Sequence, residues 1–169
     1  MSVSSAANSG TFTVSTPSDR EIRITRLFDA PRHLVFEAMS KPEHIRRWWG
    51  RLGEGYSVPV CEVDLRPGGA WRFVNRHPHG EAVFYGVYRE IAPPERVVFT
   101  EIYEPFPDAE SVVTAVLTDE GGKTRMNVTI LYPSMDVRDM VLGTGMAQGA
   151  AISYDRLEEV AQELASTGA

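Results

Sequence analysis

Between Tyr56 and Tyr132 the chain repeats one pattern, a strand-like run followed by a short turn. The runs are Tyr56–Leu65, Ala70–His77, Glu81–Ile91, Arg96–Glu104, Ser111–Asp119 and Lys123–Tyr132. Turn chemistry separates most of them, in Arg66-Pro-Gly-Gly69, His77-Pro-His-Gly80, Ala92-Pro-Pro94 and Glu120-Gly-Gly122. In such turns proline presets φ and glycine accepts a positive one. Connections this short cannot carry the crossover that parallel strands require, so the pattern predicts an antiparallel meander. An earlier run, Glu21–Phe28, sets Ile22, Ile24, Arg26 and Phe28 against Arg23, Thr25 and Leu27, which is the period of a strand. Asp29-Ala-Pro31 stops it, and two short helices are predicted, over Pro31–Met39 and Pro42–Trp48, with Pro31 at the first helical position. Many strands with few helices imply an α+β layer architecture.

The last segment, Asp136–Ala165, reads as one long helix that covers the inner face of that sheet. Asp136 is placed to cap it, and Asp139 to favour its dipole. Leu157, Val160, Ala161 and Leu164 recur at helical spacing and bury a stripe. Traced backwards, the same stripe passes through Tyr154, Ala150, Ala147, Met146, Gly143 and Met140, so its face becomes small or flexible. Each of Gly143, Gly145 and Gly149 would cost about 1 kcal/mol relative to alanine inside a helix. Two explanations stay open. Either the helix packs closely on the sheet or begins later, or it roofs a cavity that a ligand enters.

Length and composition narrow the function classes. The 169 residues suit one domain, expected over 20–169, preceded by a disordered or weakly ordered tail over 1–19 in which TFTVST is a candidate edge strand. No apolar run approaches the roughly 18 residues of a membrane span, and no basic-then-apolar leader opens the chain, so a cytoplasmic location is expected. A net charge of −6 argues against a nucleic-acid backbone as partner. Cys61 is the only cysteine, lacks a neighbouring base and reads as a small strand residue. His77 and His79 flank Pro78 without an evident third ligand, so no metal is expected. GTGMAQG lacks the preceding strand that a dinucleotide fingerprint needs, and no cofactor is expected.

RLFDAP, LVFEAMSKPEHIRRWWG, DLRPGGAWRF, GVYREIAPPERVVFTE and GGKTRMNVTI follow one another in order along the chain. With these motifs the sequence resembles the bacterial homologues of the ATPase activator of the ninety-kilodalton heat-shock chaperone. They belong to the START-like superfamily, also called SRPBCC. The resemblance spans Arg20 to Leu164 and implies a helix-grip fold. Such a fold has a curved seven-stranded antiparallel sheet around a long C-terminal helix, with a hydrophobic cavity between them. The superfamily includes lipid and sterol carriers, hormone receptors and polyketide cyclases, so fold alone leaves function open.

The residues nominate a ligand site. Trp49, beside Trp48 at a helix end, can stand at a cavity mouth. Trp71, Phe73, Phe84, Tyr88 and Tyr103 alternate within their strands and can face the concave side, opposite Met140, Gly143, Thr144 and Ala147 of the terminal segment. The hydroxyls of Tyr88, Tyr103, Tyr154 and Thr144, with Gln148, are candidates to orient a polar group. Glu101 shares the parity of Phe99 and Tyr103 and is the carboxylate to inspect for acid–base chemistry, although a strand glutamate ordinarily faces solvent. The leading expectation is a non-enzymatic binder of a small hydrophobic molecule. A chaperone-interacting or self-associating module, and a cyclase or dehydratase acting on a polyketide-like substrate, are the alternatives.

Overall fold

Glycine chemistry closes one two-residue hairpin as its sequence requires. Glu120 pairs with Lys123 across Gly121 and Gly122, whose φ values of 66° and 90° suit the two-residue turn that matches strand twist. The computed structural model describes residues 11–167. Its strands are β1 Phe12–Ser15, β2 Glu21–Phe28, β3 Ser57–Val63, β4 Ala70–His77, β5 Gly80–Ala92, β6 Arg96–Tyr103, β7 Ser111–Glu120 and β8 Lys123–Leu131. They form one open antiparallel sheet in the order β1-β2-β8-β7-β6-β5-β4-β3. The fold is the expected α+β helix grip with one strand more than seven. The extra strand is the TFTVST edge, whose Phe12 and Val14 are buried against β2. Residues 1–10 of the expected tail lie outside the described residues.

The helices are α1 Arg32–Ser40, α2 Pro42–Trp48, α3 Met135–Leu142 and α4 Met146–Ser166. The single terminal helix expected over Asp136–Ala165 is therefore two. The break falls at Gly143–Gly145, where Gly145 takes φ +82°, a left-handed conformation that glycine adopts without penalty. The N-cap of α3 is Ser134, not Asp136: its hydroxyl accepts from the Val137 N–H at 3.2 Å, and Asp136 falls in the first turn. Asp139 lies past that turn and pairs with Arg138. Pro31 is likewise the N-cap of α1 and not its first helical residue.

From Asp155 onward α4 is held firmly. Leu157, Val160 and Ala161 are buried. Arg26, buried on the inner face of β2, donates to Asp155 at 2.7 Å, reaches Glu158 at 3.3 Å and lies over the Phe28 ring at 5.0 Å. Glu158 also accepts the Asp29 N–H, and Gln162 donates to the Asp29 carbonyl. Among the described residues, the part of α4 before Asp155 makes no comparable polar clamp to the strands. It crosses the concave face on a chain of small residues, and the open space lies beneath it. Among the described residues no helix is long and apolar enough to cross a membrane.

Candidate functional site

Strand parity builds one wall of an apolar cavity of about 590 Å³. The inward residues are Trp71, Phe73 and Asn75 of β4, Phe84 and Tyr88 of β5, Val97, Phe99 and Glu101 of β6, with Val113, Ala115, Val128 and Ile130 of β7 and β8. The opposite wall is α4, which presents Met146, Gly149, Ala150, Ser153 and Tyr154, the i, i+3, i+4, i+7, i+8 face of a helix. Gly149 and Ala150 keep this wall recessed. A Cβ added at Gly149 would meet only the Leu52 side chain, at 3.6 Å.

Two glycines set the aromatic lining. Trp71 lies opposite Gly86 in register, and its indole N–H donates to the Thr100 carbonyl at 3.0 Å, across the glycine. A Cβ at Gly86 would stand 1.9 Å from that same oxygen, so close approach of β5 and β6 depends on glycine there. At the end of α2, Gly50 has φ +63° and sits between sheet and helix. Its carbonyl accepts from Asn75 at 2.8 Å, and its N–H donates to Ser153 at 3.3 Å. This clamp fixes the preceding tryptophans. Trp48 is buried and donates to the Ala38 carbonyl at 2.9 Å, while half-buried Trp49 packs edge-on against Phe73 and Phe84 with centroids 5.1 and 5.4 Å apart.

The cavity has few polar groups. Glu101 stands in its wall, and burial pushes its carboxyl up to about 7 from an ordinary 4.5. Its carboxyl oxygens accept no hydrogen bond among the described residues; the Ser111 hydroxyl donates instead to the Glu101 main-chain carbonyl. The Tyr154 and Tyr132 phenols are raised well above their usual value, by burial first and by the Glu101 charge second. Burial likewise raises Tyr88. His77 also lines the space, its Nδ1 accepting the His79 N–H at 3.2 Å. Cys61 is buried, and its thiol is pushed up to about 11, burial outweighing the nearby Arg46. No group of three or more His, Cys, Asp or Glu side chains placed to hold a metal occurs among the described residues.

The structure brings Trp49, Trp71, Phe73, Phe84 and Tyr88 together in the lining, with Glu101 and Tyr154. It places the other nominated residues elsewhere. Tyr103 closes β6 and is 40% exposed, stacked on Phe84 at 5.0 Å. Met140, at 49% exposure, belongs to α3, and Gly143 is the exposed C-cap of that helix. Thr144 is exposed, with its hydroxyl turned back onto the Val141 carbonyl at 2.6 Å, and Gln148 is exposed. Ala147 is buried but lies outside the lining. Arg66 is a turn arginine paired with Asp64 at 2.9 Å. Sequence reasoning did not nominate Leu52 and Tyr56, which line the cavity from an irregular loop without periodicity. Gly149 and Ser153 were within reach: they lie on the α4 face that also carries Tyr154 and Ala150.

A sequence model of the family described as "Activator of Hsp90 ATPase homolog 1-like protein" matches residues 29–162. The chain belongs to this family. The match begins just after β2 and covers both short helices, strands β3 to β8, α3 and most of α4. Solved structures repeat the fold of this family member. A Rhodobacter sphaeroides protein superposes with TM-score 0.81 at 24% identity, covering 90% of this chain and 99% of its own. A Nitrosomonas europaea protein gives 0.77 at 21%, covering 89% and 99%, and a Mycobacterium smegmatis protein 0.78 at 24%, covering 88% and 96%. Likeness at this identity speaks for architecture alone. No curated protein matches the chain.

Proposed function

We propose that this family member binds a small hydrophobic molecule between the sheet and α4. One observation carries the reading: about 590 Å³ of space, walled by Trp49, Trp71, Phe73, Phe84 and Tyr88 and recessed by Gly149 and Ala150 on the helix side. Ligand sites are commonly concave and mostly apolar, with a few convergent polar groups, and occupy about 300–1,000 Å³. Exposing the purified protein to a total lipid extract, then identifying retained molecules by mass spectrometry, tests the reading. It predicts retention of one class of apolar molecule in saturable, near-stoichiometric amount. Absence of any retained molecule, together with no saturable binding of apolar probes, would overturn it.

Two other readings each have one observation behind them. Family membership favours an effect on a chaperone ATPase, which a rate measured with and without saturating amounts of this protein decides. Glu101, a carboxyl with raised proton affinity in an aromatic cavity, favours proton transfer to a polyketide-like substrate. That reading predicts turnover by the native chain and its loss in Glu101→Gln.

A further inference from the structure

The polar content of the cavity is one-sided. No lysine or arginine lines it among the described residues, and Glu101 is its only carboxylate. Glu101 lies within β6, on the face it shares with Val97 and Phe99 and in register with Ser111 of β7. No side chain among the described residues donates to its carboxyl oxygens. An isolated carboxylate in apolar surroundings is costly, and proteins ordinarily pair it or solvate it. Among the described residues, no lysine or arginine of the lining neutralises the Glu101 carboxyl.

The surroundings favour the same sign of partner. Trp71, Phe99 and Tyr154 share the lining with Glu101, and Trp49 and Phe73 extend the aromatic wall. Ring faces carry negative potential and attract a cation, the more strongly where water is excluded. An anionic head, such as a fatty-acid carboxylate, would meet Glu101 with no cation to separate them.

We infer that the cavity takes a hydrophobic molecule bearing one protonated amine, with the ammonium paired to Glu101 and the carbon skeleton against the aromatic wall. The inference rests on the binding reading above and adds the charge and placement of the ligand's polar group.

Three probes with one skeleton test it: phenylbutylamine, phenylbutanol and phenylbutyrate, titrated calorimetrically into the full chain at about pH 8, where the amine is protonated. The expected order is amine, then alcohol, then carboxylate, with the amine ahead of the alcohol by roughly tenfold or more, as a charge-assisted contact supplies. In Glu101→Gln the amine advantage over the alcohol disappears, and cooperative urea unfolding of the variant shows that it is folded. A second measurement needs no change at Glu101. In the His77→Gln background, amine affinity should fall as pH drops through about 7 while alcohol affinity stays level. The His77 change removes the one imidazole among the lining residues, so that the readout belongs to Glu101. The phenols facing Glu101, Tyr154 and Tyr132, stay neutral throughout that range. Alcohol binding equal to amine binding, or an amine preference that survives Glu101→Gln, would overturn this inference and leave the binding reading standing. Failure of all three probes to bind would overturn this inference as well, and the binding reading would then be decided by the lipid-extract experiment.

Discussion

Replacing Glu101 by glutamine should make the stability difference between variant and native chain depend on pH in a defined way. Burial raises this carboxyl from an ordinary 4.5 to about 7 in the folded chain. Below about 4.5 both the folded and the unfolded states hold the proton, and the carboxyl makes no pH-dependent contribution. As pH rises from about 4.5 to about 7 the unfolded chain releases the proton while the folded one resists, so the native protein loses stability. Above about 7 both states are ionised and the penalty is constant. At about 1.4 kcal/mol for each tenfold change in proton affinity, the penalty is roughly 3 kcal/mol. Glutamine keeps the shape and cannot ionise. The stability of Glu101→Gln minus that of the native chain is therefore predicted to grow by roughly 3 kcal/mol between about pH 4.5 and pH 8. Urea unfolding of both proteins at a series of pH values measures it, and other titrating groups cancel in the difference. A difference that stays flat across this range would show that the Glu101 carboxyl is solvated, and the argument from its isolation would fail.

Other perturbations address the parts that shape the cavity. Gly86→Ala would put a Cβ 1.9 Å from the Thr100 carbonyl oxygen, backbone that cannot step aside, and should cost about 2–3 kcal/mol in chemical unfolding. Gly50→Ala meets both a left-handed φ and the Asn75 amide 2.5 Å away, so a loss of roughly 2–3 kcal/mol is expected, with altered tryptophan fluorescence as Trp49 shifts. Cys61 should be inert to a disulfide reagent at neutral pH until the chain is unfolded, because its buried thiol is pushed up to about 11; rapid reaction in the native state would contradict this burial.

Strand placement was legible because each turn carries proline or glycine where the backbone requires it, and parity then assigned faces. Trp71, Phe73, Phe84, Tyr88 and Glu101 all line the cavity as their alternation implied. Parity gives a face without giving depth. Tyr103 has the right parity but ends its strand and is exposed there. The terminal segment misled for a different reason. Its apolar stripe keeps helical phase through Gly143 and Met140, so periodicity alone runs straight across the break. What ends α3 is local backbone chemistry, with Gly145 left-handed and the Thr144 hydroxyl folded back onto Val141. Once the helix is divided, Met140, Gly143 and Thr144 fall outside the roof, which begins at Met146. The clamp of Gly50 between Asn75 and Ser153 joins three distant stretches, and no local pattern announces such a contact.

The space beneath α4 is the centre of this account, and filling it is the most direct test. Gly149→Leu projects a side chain into the cavity, past Leu52, from a position where leucine also favours the helix. Saturable quenching of tryptophan fluorescence by an apolar probe should follow a single site in the native chain, since Trp48, Trp49 and Trp71 all line the cavity. Gly149→Leu is expected to remain folded and to lose this binding by roughly tenfold or more. Undiminished probe affinity in the folded variant would contradict it.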